Sequence, residues 1–230
     1  MVIYLKIIFK HLFYIEYYIF LLLCNTDLEY SILLFRIKNK DILNLYIMTM
    51  EKYRQFISLL SDNHIDRVFL NSDEKHAIEV FVKLFETAKS TIRIYAACLC
   101  NEVTNDPRYI KALSDFIEKG GTLKILLNKY DRELAINSNL FKRLAYYAEN
   151  EKPIYVKTTK SKFYNSGDKD KKEIHFTVVD NISYRLETDI EKRTAECNFN
   201  SEPVATNMAS LFDEVFERSD ETINLKEMFK

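Results

Sequence analysis

The stretch Glu173-Ile174-His175-Phe176-Thr177-Val178-Val179-Asp180 alternates polar and apolar residues and ends on Asp180-Asn181, ahead of a second apolar run, Ile182–Leu186. A period of two marks a strand with two unlike faces, so Glu173, His175 and Thr177 share one side and Ile174, Phe176 and Val178 the other. On the partner run Ser183, Arg185 and Glu187 lie opposite Ile182, Tyr184 and Leu186. A third short run, Ala195-Glu196-Cys197-Asn198-Phe199, follows. The polar faces predict an acid–base cluster of Glu173, His175, Arg185, Glu187 and Glu196, the pattern from which general acid–base work or recognition of a polar ligand is built. Structural ion pairing of Arg185 with Glu187 or Glu196, and Asp180 as a cap of the strand turn, is the competing account.

Upstream of this stretch, strands and helices alternate. Val68-Phe69-Leu70 reads as a short strand, after which Asn71 and Glu74 have the spacing of a capping box. Ile78, Phe81, Val82 and Phe85 then recur at helical spacing, and Ser90 closes the run. Thr91–Ala96 alternates as a strand. Asp106-Pro107 supplies an N-cap and a first-turn proline for a helix carrying Ile110, Leu113 and Ile117, which Gly120-Gly121 ends. Leu123–Leu127 is a strand, Leu134–Glu149 a helix and Ile154-Tyr155-Val156 another strand. Four such alternations predict an α/β domain with a mixed, mostly parallel sheet flanked by helices. Downstream, Ser201 is placed to cap a last helix whose buried stripe is read as Val204, Met208, Leu211, Phe212 and Val215.

The loop Lys157–Lys172 breaks the alternation. Lys160, Lys162, Lys169, Lys171 and Lys172 stand among Phe163, Tyr164 and Asn165, a composition that can hold a phosphate backbone and stack bases. Asp168, Asp170 and Glu173 offset part of that charge, and a solvated loop is the simpler account. Over the 230 residues the formal net charge is −1, so nothing global draws the chain to nucleic acid or an anionic surface. A hydrophobic share of 47% is ample for a core. The four cysteines, at 24, 98, 100 and 197, lack the spacing of a disulfide framework, which points to a reducing, cytoplasmic setting. Cys98-Leu99-Cys100 lacks the gap of a zinc knuckle, and neither a metal nor a cofactor is expected.

Residues 1–47 read as a hydrophobic helical extension, 48–65 as a helical lead-in, 66–219 as the α/β domain and 220–230 as a tail. From Val2 to Cys24 the chain is apolar, but Lys6, Lys10, His11 and Glu16 interrupt it before any run reaches the ~18–20 residues of a spanning helix. Asn25-Thr26-Asp27 is no signal-peptide cleavage pattern. An anchor with Lys6 and Lys10 on the cytoplasmic side, a helix packed on the domain or a partner, and translated upstream codons are the readings open for this segment.

The strand Glu173–Asp180, the run Tyr184-Arg185-Leu186-Glu187 and the tail Ala195-x-x-Asn198-Phe199 together resemble one half of the phospholipase D-like fold, over roughly Asp66 to Ser219. The family pattern is His-x-Lys-x-x-x-x-Asp followed by Gly-Ser-x-Asn. Aligned on Asp180, this chain has Glu173 at the His position, His175 at the Lys position, and Ala195, Glu196 and Asn198 at the Gly, Ser and Asn positions. The resemblance implies two motif copies meeting, within a chain or across a homodimer, with one His attacking phosphorus. A carboxylate at that position repels a phosphodiester, and His175 offers a titratable cation where the family has a fixed one. The expectation is therefore a degenerate, non-catalytic domain acting as a binding or interaction module for nucleic acid, a phosphate ligand or a protein. Its site residues would be Glu173, Asp180, Arg185, Glu187, Glu196 and Asn198, with pairing through the pocket face. A diverged phosphodiesterase or nuclease using His175, and a membrane-tethered effector through residues 2–24, are the alternatives.

Overall fold

The computed structural model describes residues 50–165, 172–191, 194–219 and 221–230. The extension 1–47 lies outside them, as do Lys169 and Lys171. The chain divides at residue 51 into two units, and the domain described below is the second, residues 52–230.

Its elements are α1 (Met50–Asp62), β1 (Phe69–Asn71), α2 (Glu74–Thr87), β2 (Thr91–Ala96), α3 (Glu102–Asn105), α4 (Pro107–Glu118), β3 (Thr122–Leu127), α5 (Arg132–Asn137), α6 (Asn139–Glu149), β4 (Ile154–Thr158), β5 (His175–Val179), β6 (Ser183–Asp189), β7 (Thr194–Asn198) and α7 (Glu202–Arg218), with a closing 3-10 turn at Leu225–Glu227. The seven strands form one mixed sheet in the order β1-β7-β6-β5-β2-β3-β4. The class is α/β, as the sequence predicts.

Parallel pairing is confined to β2-β3-β4, and the four other pairings are antiparallel. The expected dominance of parallel pairs is thereby corrected. The reason lies in β1: it does not join the crossover units but pairs antiparallel with β7 at the far edge. The meander β5-β6-β7 fills the space between β1 and β2, since short connections keep successive strands adjacent. Asp180 and Asn181 both adopt left-handed backbone (φ 51° and 56°), which makes the tight turn between β5 and β6. Asp and Asn tolerate that region better than other non-glycine residues.

Local signals account for most element ends. Asp106 caps α4 by accepting from the Arg108 N–H, with Pro107 in the first turn. At its other end Gly120 takes φ 91°, and a side chain at Gly121 would run into the Phe116 ring. Three expectations give way to tertiary contacts. The cap of α2 is Asp73, which accepts from the His76 N–H; Asn71 is the last residue of β1. The helix expected over Leu134–Glu149 breaks at Ser138, because Asn105 Oδ1 accepts from Ser138 Oγ at 3.0 Å and from the Asn139 N–H at 2.8 Å. The buried stripe of α7 is Ala205, Ala209, Phe212 and Phe216, while Val204 and Leu211 are exposed. Small alanines let the helix axis approach the sheet, which the larger flanking residues would prevent.

Packing divides between two faces. On one, α7 covers Tyr95, Leu126, Phe176, Val178 and Tyr184 with Phe212 and Phe216. On the other, α2, α4 and α6 pack side by side, and α2 meets β6 and β7. The final residues also belong to the domain: the Ile223 N–H donates to the Val156 carbonyl at 2.9 Å, and Leu225 and Met228 are buried. This segment, set apart as a tail in the sequence, covers the edge of β4. No helix among the described residues is long and apolar enough to cross a membrane.

Candidate functional site

Register fixes which side chains meet. His175 pairs with Glu187 and Thr177 with Arg185 across β5 and β6, while Glu187 pairs with Ala195 and Arg185 with Cys197 across β6 and β7. The face turned toward α2 therefore carries His175, Arg185, Glu187 and Cys197. Glu196, one residue out of phase, pairs with Leu186 and is exposed on the α7 side. It is not part of the cluster, and the period of two is the reason.

Four of the five expected residues converge. Glu187 Oε2 stands 3.3 Å from His175 Nδ1, and Glu187 Oε1 accepts from Arg185 Nη2 at 3.3 Å. Arg185 Nε donates to Asn71 Oδ1 at 3.0 Å, and its guanidinium lies 4.7 Å from the Phe81 ring centroid. The other ring nitrogen of His175, Nε2, faces Glu173 Oε1 at 3.7 Å, beyond hydrogen-bond reach. Glu173 in turn pairs with Lys162 Nζ at 2.9 Å and accepts from Asn128 Nδ2. The result is a row of polar side chains, Lys162–Glu173–His175–Glu187–Arg185–Asn71, in contact except across the 3.7 Å gap between Glu173 and His175, running from the sheet end into the interior. Arg185 is 3% and Glu187 4% exposed, so this is a desolvated network in which each charge needs its neighbour.

Burial pushes the Glu173 carboxyl up, but hydrogen bonds from Lys162 and Asn128 and the charges of Lys162 and His175 outweigh it and hold the group below the usual carboxylate range. Burial pushes the Cys197 thiol up to about 12, which keeps it protonated and inert.

Asp180 and Asn198, expected at the site, are elsewhere. Asp180 sits at the far end of β5 from Glu173. There its carboxylate accepts from the Lys89 N–H at 2.5 Å, and from the Ser90 N–H, Ser90 Oγ and the Thr91 N–H at 2.8 Å each. Asn198 Nδ2 donates to Asp66 Oδ1 at 2.7 Å and its Oδ1 accepts from the Asn200 N–H. Both fasten loops to strands. Of the lysine loop, Lys160 and Lys172 are exposed and Lys162 is committed to Glu173. The loop is drawn back onto the sheet by a Tyr164–Glu173 bridge and by Phe163 packed against Tyr95 and Phe176.

Beside the chain lies a cavity of about 140 Å³. His175, Thr177, Arg185 and Glu187 form its floor, Ala77 and Phe81 of α2 its roof, and the segment from Ala97 to Thr104 its outer wall. Among the described residues, no three His, Cys, Asp or Glu side chains converge to hold a metal ion. Sequence reasoning missed Asn71, taken as a helix cap, and Asn128 and Tyr95, the latter donating to Glu173 Oε1 at 3.5 Å. Asn128 and Tyr95 could have been found: they stand at the carboxyl ends of the parallel strands β3 and β2, where α/β sheets place their sites. Asn71 carried no such signal, since its partner is 114 residues away.

No family model matches the chain, and no curated protein matches it either. Among solved structures, the archaeal chromatin protein TrmBL2, described for its mode of DNA binding, is similar at 16% identity and TM-score 0.48, over 85% of this chain and 69% of its own. Nuc from Salmonella typhimurium, a phospholipase D family member, is similar at 15% identity and TM-score 0.46, over 67% of this chain and 98% of its own. NucT from Helicobacter pylori is similar at 10% identity and TM-score 0.45, over 69% and 98%.

Proposed function

We propose that this domain is a binding module for a small, polar-ended ligand, seated in the cavity between α2 and strands β5 and β6, and that phosphodiester hydrolysis at the inherited motif positions is lost. The observation that carries this reading is the self-balanced charge of the buried chain: Glu173 and Glu187 flank His175, and the cations nearest them, Lys162 and Arg185, each already face a carboxylate. A phosphodiester would meet two carboxylates with no net positive field to draw it in. The cavity, about 140 Å³, is below the ~300 Å³ at which drug-sized ligands begin, and its lining mixes apolar Phe81, Ile94 and Leu99 with polar His175, Glu187 and Thr104. A ligand of a few heavy atoms, uncharged or zwitterionic, fits that pattern. A fragment screen read by NMR should cluster its shifts on His175, Leu99 and Thr104, and Ala77→Leu, which fills the cavity, should abolish them. Shifts elsewhere, or shifts indifferent to that change, overturn the reading.

A diverged phosphodiesterase or nuclease is the second reading, and one feature favours it: Glu187 at Nδ1 is placed as a carboxylate that orients an imidazole for proton transfer at Nε2. Metal-free assays on single- and double-stranded nucleic acids decide between the two. Turnover that disappears in His175→Ala establishes the enzyme, with Lys160 and Lys172 on the substrate. Pairing of two chains through the pocket face belongs to this proposal as well, and light scattering at tens of micromolar, with a strict monomer as the adverse result, tests it. The tethered-effector idea rests on residues 2–24, outside the described residues; release without detergent on cell fractionation removes it.

A further inference from the structure

The outer wall of the cavity carries two thiols two residues apart. Cys98 lines the cavity, Cys100 turns its Sγ back to within 3.1 Å of the Cys98 carbonyl oxygen, and both reduced side chains are part-exposed. In a regular strand such residues stand roughly 7 Å apart with side chains parallel, at the limit of what a disulfide spans. Here the chain leaves β2 and folds: Leu99 between them has φ 56°, a left-handed conformation that is strained for a leucine. It is held there by burial of its side chain and by Thr104 Oγ1, which donates to the Leu99 carbonyl at 2.7 Å. Thr104 is itself fixed in a reciprocal capping box with Asn101. A fold maintained against local strain turns the Cys100 thiol back onto the Cys98 residue.

We propose that Cys98 and Cys100 are a thiol-oxidation site, which closes to a reversible disulfide when the protein meets a hydroperoxide. The Cys98 thiolate attacks one peroxide oxygen, the O–O bond breaks, and hydroxide leaves and takes up a proton, giving a sulfenic acid on Cys98 and one water. The Cys100 sulfur then attacks the sulfenic sulfur, the S–O bond breaks, and the departing hydroxide removes the Cys100 proton as a second water. Two thiols lose two electrons and two protons, and hydrogen peroxide is reduced to two waters. Cys100 attacks second because its S–H is engaged by the Cys98 carbonyl oxygen, and the Cys98 side chain and burial together hold that thiol above its ordinary range. A disulfide spanning one residue departs from relaxed geometry, and strained bonds are the easily reduced, regulatory ones. Closing it would stiffen the cavity wall, but the oxidation itself does not depend on the ligand proposed above.

Both cysteines lie in one tryptic peptide, Ile94–Arg108, and Cys197 serves as the inert control. After exposure of the full chain to hydrogen peroxide and alkylation in denaturant, this peptide should lose the mass of two hydrogens and resist alkylation. Dithiothreitol should restore both alkylations, and Cys197 should be alkylated throughout. Cys100→Ser should leave a sulfenic acid on Cys98 that dimedone traps, and Cys98→Ser should leave Cys100 reduced, each with the circular dichroism of the parent. Full alkylation of the peptide after peroxide, irreversible oxidation of Cys100 alone, or linkage between chains each overturns the proposal.

Discussion

The two faces of strands β5 and β6 are made of alternate residues of the same ten-odd positions, yet they are stabilised in opposite ways. Toward α7 the strands present Phe176, Val178 and Tyr184, which pack with Phe212 and Phe216 into an apolar cluster. Toward α2 they present His175, Arg185 and Glu187, which meet Asn71 in a buried polar chain. Apolar packing tolerates loss of a member in proportion to the space left behind, whereas a desolvated charge chain fails when any link is cut. A polar network this deep is maintained by completeness rather than by net attraction.

The strongest test of that contrast is to cut one link and then remove the pair. Arg185→Ala should cost about 3–5 kcal/mol in urea unfolding, because it leaves Glu187 buried without its cation. Arg185→Met combined with Glu187→Met should recover most of that loss, since an apolar pair of similar volume removes the desolvation cost along with the attraction. A double variant as unstable as the single one would show that the chain is not the unit described. On the apolar face, Phe212→Ala should cost about 3–5 kcal/mol through transfer and cavity terms, and no second substitution at Phe176 should rescue it.

Asp180 gives a smaller effect with a pH signature. Burial opposes ionisation of Asp180, but donors from Lys89, Ser90 and Thr91 outweigh it and hold its carboxyl below the ordinary range. A depressed folded-state pKa adds stability that is complete above the unfolded value of about 3.9 and is lost as the pH falls through the folded value. Asp180→Asn should therefore cost roughly 1–2 kcal/mol at neutral pH and flatten the acid limb of the stability curve below about pH 4. A parallel acid limb in both proteins would remove Asp180 from that role. The smallest effect belongs to the outer side of α7: Leu211→Lys should change stability by no more than about 0.5 kcal/mol, because Leu211 is exposed while Phe212 beside it is buried.

That last pair shows where the sequence was legible and where it was not. Strong local punctuation carried through: Asp106-Pro107 and Gly120 bound α4, β2 spans Thr91–Ala96 as its alternation predicts, and Asp180-Asn181 turns β5 into β6. The alternation also placed Glu173, His175, Arg185 and Glu187 on shared faces. It misled for Glu196, whose phase on β7 is set by pairing with Leu186 and not by its own short run. For α7, ranking residues by hydrophobicity favoured Val204 and Leu211 over Ala205 and Ala209, although close approach to a sheet selects small side chains.

By itself the sequence determined the α/β class, the order of elements and the polar face of β5 and β6, because each depends on periodicities and caps read within a few residues. Only the tertiary structure decided that β1 closes the far edge antiparallel to β7, that Asn71 meets Arg185, and that Lys162 answers Glu173 while Asp180 serves a turn. Those partners lie far apart along the chain or across a loop, and their pairing is set by strand register, which one residue's shift would invert.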